Sequence, residues 1–468
     1  MTAPIGAASA LSQFAMTPGE RYRLVPLNGA GTHILLRQEA GHSSLLTFEI
    51  PRFRRVADEI TSLLLDEYGL SAILLSVQPS GEPDTHYAVV EVCDENRRTN
   101  SLRWFELHTI VAHLGEADAR FVHASQTQAT EVPVGTDISP FSRLGWIYKR
   151  RNWAQDTVAP LGIRVGRFFH VSGSEGASLV KFESTQRPLW LKAVGQGDPR
   201  EFENTQTLLR LLPEYLPRIF AVDPLLNAWL MDSGGEPLRH YEDVHKWKVV
   251  AQRLAAMQVD SVSLVPDLLD AGLRDLRFDA LSGVLHEFFN VMADLMGQQT
   301  KSAPAPLSAQ ELCVIASTLE DAIRELSHLG IPDALGHHDF NPGNILIDGD
   351  SCVFTDWSAG HVGCPLYTFE YLLAHFRKSH RAFAVDCDGL RETYTAGWLS
   401  GIKPESISRA LQLSPFVAVY ASAIASGSWR DPERLARPGV PGYLRSLARI
   451  MKREMETLSQ RREPCLNC

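Results

Sequence analysis

Short apolar runs set the pattern over the first 130 positions. Arg23 to Pro26 and His33 to Arg37 read as strands, and Ala72 to Gln78 and Tyr87 to Cys93 as more apolar ones. Val56 to Tyr68 carries helical spacing instead, and Arg103 to Leu107 follows two strands later. This alternation predicts a small α/β or α+β domain. Gln126 to Pro140 combines two prolines, a glycine and small polar residues, so a domain boundary is expected near residue 135. Phe141 to Pro160 then predicts an amphipathic helix. Leu144, Ile147, Tyr148 and Trp153 are expected on one side, with Lys149, Arg150 and Arg151 forming a solvated face.

Beyond that helix, Arg167 to Val171 is strand-like, Ser172 to Ser178 (SGSEGAS) is a small flexible turn, and Leu179 to Phe182 returns as a strand. Backbone amides in such a turn, around Ser174, suit phosphate oxygens. The run PLWLKAV is a further strand and carries Lys192. Asp198, Pro199 and Glu201 have the spacing of a capping box at the start of the next helix, which gives Glu201 a structural task. Glu203 lies beside the apolar residues Phe202, Leu208, Leu209 and Leu212, and is expected to face inward toward Lys192, with Glu201 as the second choice. Helices are expected from Tyr241 to Leu329, around Phe369 to Phe376, and after Ala382.

Composition narrows the class. The 468 residues include 45 Lys and Arg against 55 Asp and Glu, a formal charge of −10, which disfavours a nucleic-acid coat. Seven scattered cysteines are not a disulfide framework, and no basic residue precedes Arg21, so a reducing cytoplasmic setting is expected. The uncharged stretch from Arg409 to Arg430 contains proline, glutamine and serines. It is expected to be a buried helix and not a membrane span.

The chemistry concentrates between Leu335 and Phe369. A loop carries His337, Asp339 and Asn344, with Pro342-Gly343 as its turn. Ile345 to Ile347, the turn Asp348 to Ser351, and Cys352 to Thr355 predict a hairpin that returns Asp356 to the end where Asn344 begins. Hard oxygen ligands from Asn344 and Asp356, beside the carboxylate of Asp339, suit Mg²⁺ and phosphoryl transfer to a hydroxyl.

The pattern H-x-D-x-x-x-x-N, then a strand and D-W, resembles the aminoglycoside phosphotransferase and choline kinase family, relatives of protein kinases. His337, Asp339, Asn344, Asp356 and Trp357 match it. His338 stands where that family usually has glycine, and Ser358 where an acidic residue is common. The resemblance implies a bilobal α+β kinase-like domain over residues 136 to 468, with an N-lobe at about 160 to 235 and a C-lobe at about 236 to 468. It implies Asp339 as base, Asn344 and Asp356 as metal ligands, His337 as support for the loop, and Lys192 as the phosphate-binding lysine paired with Glu203. Main-chain groups from Met231 to Ser233 would meet adenine in a hinge strand, where Gly234 and Gly235 also read as a plain loop. ATP and Mg²⁺ are the implied cofactors, and a small-molecule hydroxyl the acceptor, because Gly363-Cys364-Pro365 closely follows Asp356 and leaves little chain for peptide docking. A nucleotide-binding pseudokinase or adaptor is the alternative, as is a kinase for peptide hydroxyls.

The front segment, residues 1 to 135, resembles a Nudix domain where the helix ends in Asp66-Glu67-Tyr68-Gly69-Leu70. Ser62, Leu63, Arg54 and Phe48 depart from that signature and leave too few carboxylates for diphosphate chemistry. A degenerate Nudix-like accessory fold, or an unrelated α/β domain, is the expectation.

Overall fold

A computed structural model describes residues 19–39, 42–93, 101–130, 140–174, 176–380, 387–398 and 401–462. The expected boundary near residue 135 and the Cys465 and Cys468 pair lie outside these residues. Two compact units emerge. One holds the described residues up to Phe202 together with Arg218–Ser233; the other holds Glu203–Pro217 and the described residues from Gly234 onward. The class is α+β.

The first unit begins with strands β1 (Gly19–Leu27), β2 (His33–Glu39), β3 (His42–Ser44) and β4 (Thr47–Pro51), then helix α1 (Val56–Tyr68). Strands β5 (Ala72–Pro79), β6 (Thr85–Val92) and β7 (Leu102–Glu106) complete a seven-stranded sheet, in which β1 and β6 are parallel and β5 lies at an edge. Helix α1 has its expected bounds. Gly69 ends it in the left-handed region, with the N–H groups of Gly69 and Leu70 bonded to Leu65 and Leu64 carbonyls. The Gly-Leu pair that resembles a Nudix signature thus terminates the helix, and Asp66 and Glu67 are exposed.

Helices α2 (Leu107–Ile110), α3 (Glu116–Thr130) and α4 (Trp146–Val158) follow. α3 includes Gln126 to Thr130, so the first part of the expected linker is helical. α4 buries Trp146, Ile147, Ala154 and Val158, while Tyr148 is exposed and donates to the Cys93 carbonyl at 2.9 Å. Arg150 is not simply solvated, because it is ion-paired with Asp223.

Next come β8 (Val165–Gly173), β9 (Ser178–Ser184), β10 (Leu189–Ala193), α5 (Arg200–Leu211), β11 (Ile219–Asp223) and β12 (Ala228–Asp232). The strands form an antiparallel sheet in the order β11-β12-β10-β9-β8. Its two faces have different neighbours. Val180, Phe182, Leu189, Leu191 and Leu230 join one apolar core with Val25, Ile34, Ile73 and Val89 of the front sheet. Trp229 and Met231 pack with Val194 and Phe202 on the other face. Alternation along β10 therefore sends Leu189, Leu191 and Ala193 toward the front residues, and Trp190 and Lys192 the opposite way.

In the second unit, β13 (Glu236–Pro237) precedes α6 (Val244–Ser261), α7 (Val265–Asp270), β14 (Arg274–Leu276), α8 (Phe278–Gly297) and α9 (Ala309–Ser327). The site strands β15 (Ala334–His337), β16 (Ile345–Asp348), β17 (Ser351–Phe354) and β18 (Gly360–Gly363) come next. Helices α10 (Leu366–Ser379), α11 (Cys387–Ala396), α12 (Pro404–Ala425), α13 (Pro432–Leu435) and α14 (Val440–Arg462) close the chain. α12 is long and apolar enough to cross a membrane by length and composition, but more than half of that stretch is buried. Its Ser414 donates to the buried Glu370 carboxylate on α10 at 2.8 Å, and its Tyr420 packs edge-on against Phe288 of α8. Among the described residues Cys93, Cys313, Cys352, Cys364 and Cys387 form no disulfide.

Candidate functional site

In the second unit, β15 delivers His337 to the start of the loop and β16–β17 close it. Ile345 pairs with Phe354 and Asp348 with Ser351, and Gly349 takes the left-handed conformation of the tight turn. The Thr355 N–H donates to the Asn344 carbonyl at 2.9 Å, so Asp356 immediately follows the partner of Asn344, as the hairpin reading expects. Asp356 adopts φ 66° and ψ 56°, a left-handed conformation that costs a non-glycine residue about 1 kcal/mol or more. Ser358 donates to its Oδ1 at 3.0 Å. Trp357 is buried, with its indole N–H on the Phe354 carbonyl and its own carbonyl accepting from Asn204 at 2.8 Å.

His337 is fully buried and its tautomer is set by its partners. Nδ1 accepts from the Asp339 N–H at 3.2 Å, so the proton sits on Nε2, which donates to the Thr355 carbonyl at 2.9 Å. One imidazole thereby ties the loop to the hairpin's exit. The Thr368 hydroxyl accepts from the His337 N–H at 2.9 Å and anchors the same turn to α10.

Asp339 is only partly buried, and its carboxylate is held by three side chains. Asn341 Nδ2 donates to Oδ1 at 2.9 Å and the Tyr371 hydroxyl donates to it at 3.2 Å. Asn344 Nδ2 donates to Oδ2 at 3.3 Å and to the Asp339 carbonyl at 2.9 Å. Because the amide nitrogen of Asn344 is committed to Asp339, its Oδ1 is the atom left for a cation. Together with the carboxylate of Asp356, the residue after Thr355, it would offer the hard oxygen donors that Mg²⁺ takes. Burial, with the Asp339 charge behind it, pushes the Tyr371 phenol far above its usual range, so it remains a donor. Sequence reasoning missed Tyr371 and Asn341. The available signals were a second tyrosine on α10 and an amide two residues after Asp339.

His338 and His361 also flank this loop, with ring centroids 5.8 Å apart. His361 belongs to buried strand β18. Burial drives the pKa of His338 down to about 4 and that of His361 well below the usual value.

Of the other sequence-predicted residues, Lys192, Glu201, Ser174, Met231 and Ser233 lie in the first unit, and Glu203 opens a segment of the second. Lys192 lies on central strand β10, paired in register with Leu179 and Trp229, and its ammonium stands 5.9 Å from the Trp229 ring centroid. Its ion-pair partner is Glu201, with both side chains largely buried. Glu203, expected to face inward, is exposed. The reason is helical phase: Glu201 is in step with the buried Leu208 and Leu212, whereas Glu203 is in step with the exposed Arg210. The helix begins at Arg200, and the Asp198 carboxylate accepts from the Arg200 guanidinium at 2.7 Å, so Glu201 serves Lys192.

Ser174 holds its own turn, because its hydroxyl oxygen accepts from the Gly176 and Ala177 N–H groups at 3.3 and 3.1 Å. Met231 is inside β12, opposite Trp190 and Ile219, and Ser233 follows the strand as the last residue of its unit. Gly234 and Gly235 do more than make a loop. Both have positive φ, and a Cβ on Gly235 would stand 2.1 Å from the Ile347 carbonyl oxygen.

No family model matches the sequence, and no curated protein matches it. Solved structures similar to the chain include small-molecule kinases and phosphotransferases. Ethanolamine kinase of Plasmodium vivax is 15% identical, with a TM-score of 0.40, covering 74% of this chain and 91% of that one. Choline kinase of Streptococcus pneumoniae is 12% identical, with a TM-score of 0.42, covering 67% and 99%. A macrolide 2'-phosphotransferase of Brachybacterium faecium is 12% identical, with a TM-score of 0.40, covering 65% and 98%.

Proposed function

We propose that the chain transfers the γ-phosphoryl group of ATP, in a Mg²⁺-dependent reaction, to a hydroxyl of a small-molecule acceptor. The observation that carries this reading is the double donation of Asn344 to Asp339. It orients the Asp339 carboxylate and leaves Asn344 Oδ1 as an oxygen that a cation could take, which supports a base and a metal ligand in one loop. Asp339 would orient the acceptor hydroxyl and take its proton. Mg²⁺ held by Asn344 and Asp356 would neutralise charge on the phosphoryl oxygens. Lys192, held by Glu201, would meet the nucleotide phosphates.

A small acceptor is favoured because α10 begins at Leu366, soon after Asp356, and leaves no long segment for a peptide. The deciding experiment is calorimetry with Mg-ATP, followed by labelled ATP against amino alcohols, aminoglycosides, homoserine, sugars and peptides. Absence of Mg-ATP binding sinks the proposal. Binding with no labelled product moves the reading to a nucleotide-binding module, and label on a peptide moves it to a peptide kinase.

A further inference from the structure

Among the described residues β5 is an edge strand, so its outward N–H groups meet no described strand ladder on that side. At Leu74 that donor is taken by His170 Nδ1 at 3.1 Å, a side chain 96 residues further on. With Nδ1 accepting, the ring proton belongs to Nε2, which lies 3.1 Å from the Ser178 hydroxyl and donates to it. His170 is 1% exposed, and burial holds its pKa down to about 3, so the ring stays neutral. Its surroundings are closed: a Cβ on Gly173 would stand 2.4 Å from the ring, and the Trp146 indole packs edge-on at 6.4 Å.

The two hydrogen bonds join elements that matter differently. Leu74 belongs to the front sheet, whereas Ser178 opens β9 and pairs with Ala193, one step from the Leu179–Lys192 pair. The apolar core shared by Ile73, Phe168, Val180 and Leu191 backs the same connection. We propose that His170 is a positioning residue through which the front sheet fixes β9, and with it the strand of Lys192, in the geometry that binds nucleotide. Only the nucleotide consequence rests on the function proposed above.

Three variants of the full chain test this. His170→Phe keeps a ring and loses both bonds, His170→Asn keeps an acceptor for Leu74, and Ser178→Ala loses only the second bond. Calorimetry should show Mg-ATP binding weakened about tenfold in His170→Phe and about threefold in Ser178→Ala, with His170→Asn closer to wild type. Combining Ser178→Ala with His170→Phe should add less than about twofold, since the bond is already gone. Without nucleotide, amide exchange at Leu74 and at Ser178 to Val180 should speed up in His170→Phe. Unchanged exchange overturns the proposal, as does faster exchange with wild-type affinity, or additive effects in the double variant. If wild type binds no Mg-ATP, the phosphotransferase reading fails while exchange still decides the strut. Should His170→Phe fail to fold, His170→Asn and Ser178→Ala give the same two readouts.

Discussion

Glu201 closes on the Lys192 ammonium from the first turn of α5, and Glu203, two residues on, points to solvent. Glu201→Gln leaves a largely buried ammonium without its carboxylate, a loss on the order of 3 kcal/mol for a buried pair broken on one side. Thermal unfolding should show a clear drop in Tm, and Mg-ATP binding should weaken with it. Glu203→Gln should stay within about 0.5 kcal/mol of wild type, as exposed changes do. Equal effects from the two substitutions would remove Glu201 from the role given to it.

Asp339 and Asp356 should separate in a way that only phosphoryl transfer explains. Asp339→Ala removes the proposed proton acceptor but neither proposed metal ligand. Turnover should fall by about 10² to 10⁴ while Mg-ATP affinity stays near wild type. Asp356→Ala should instead weaken nucleotide binding in the presence of Mg²⁺ and have little effect in chelator. Calorimetry with and without Mg²⁺, beside a labelled-phosphate assay, distinguishes the two patterns.

The unequal legibility of these residues follows from distance along the chain. His337, Asp339, Asn344 and Asp356 lie within one loop and one hairpin, so counting residues and pairing strands was enough to bring them together. Helical phase was equally present in the sequence at Glu201, in step with Leu208 and Leu212, but the capping-box spacing at Asp198 drew Glu201 away from Lys192. Strands β1, β2, β5 and β6 of the front sheet and α1 were readable from local periodicity, whereas the short β3 and β4 were not. Their shared core with β9, β10 and β12 was not, because Ile73 and Leu191 are both simply apolar strand residues until packing puts them together. His170 is the sharpest case. Nothing local marks a strand histidine as the partner of an edge N–H 96 residues earlier.

Acid should weaken the fold through that histidine. His170 is neutral when folded down to about pH 3, whereas in the unfolded chain it takes up a proton near its usual value of about 6.5. The unfolded state therefore binds more protons between those limits. Stability from this group is fully present above about pH 6.5 and is lost as pH falls, by on the order of 2 kcal/mol at pH 5. Carboxylates titrate over part of the same range, so the informative quantity is a difference. The decline in Tm between pH 8 and pH 5 should be steeper in wild type than in His170→Asn, and parallel curves would contradict the assignment.

Gly235 supplies a test of how the chain reaches the hairpin that carries Asn344. Its φ of 121° lies in a region L side chains avoid, and the next residue, Glu236, pairs with Ile347 in β16. A methyl group there meets the Ile347 carbonyl at 2.1 Å, a backbone atom that cannot swing away, so β13 must move off β16 or the hairpin must shift. Gly349 is the matched control: it too has positive φ, at 60°, but nothing lies within 4 Å of its Cβ position. Gly349→Ala should therefore cost only the conformational term, about 1 kcal/mol. Gly235→Ala adds a steric term and should cost more than about 2 kcal/mol. It should also lower turnover, since the displaced strand carries Asn344 at its entrance. Denaturant unfolding of the two variants, with turnover measured well below their midpoints, separates these contributions. A Gly235→Ala protein as stable and as active as Gly349→Ala would mean that the close approach of β13 to β16 is dispensable.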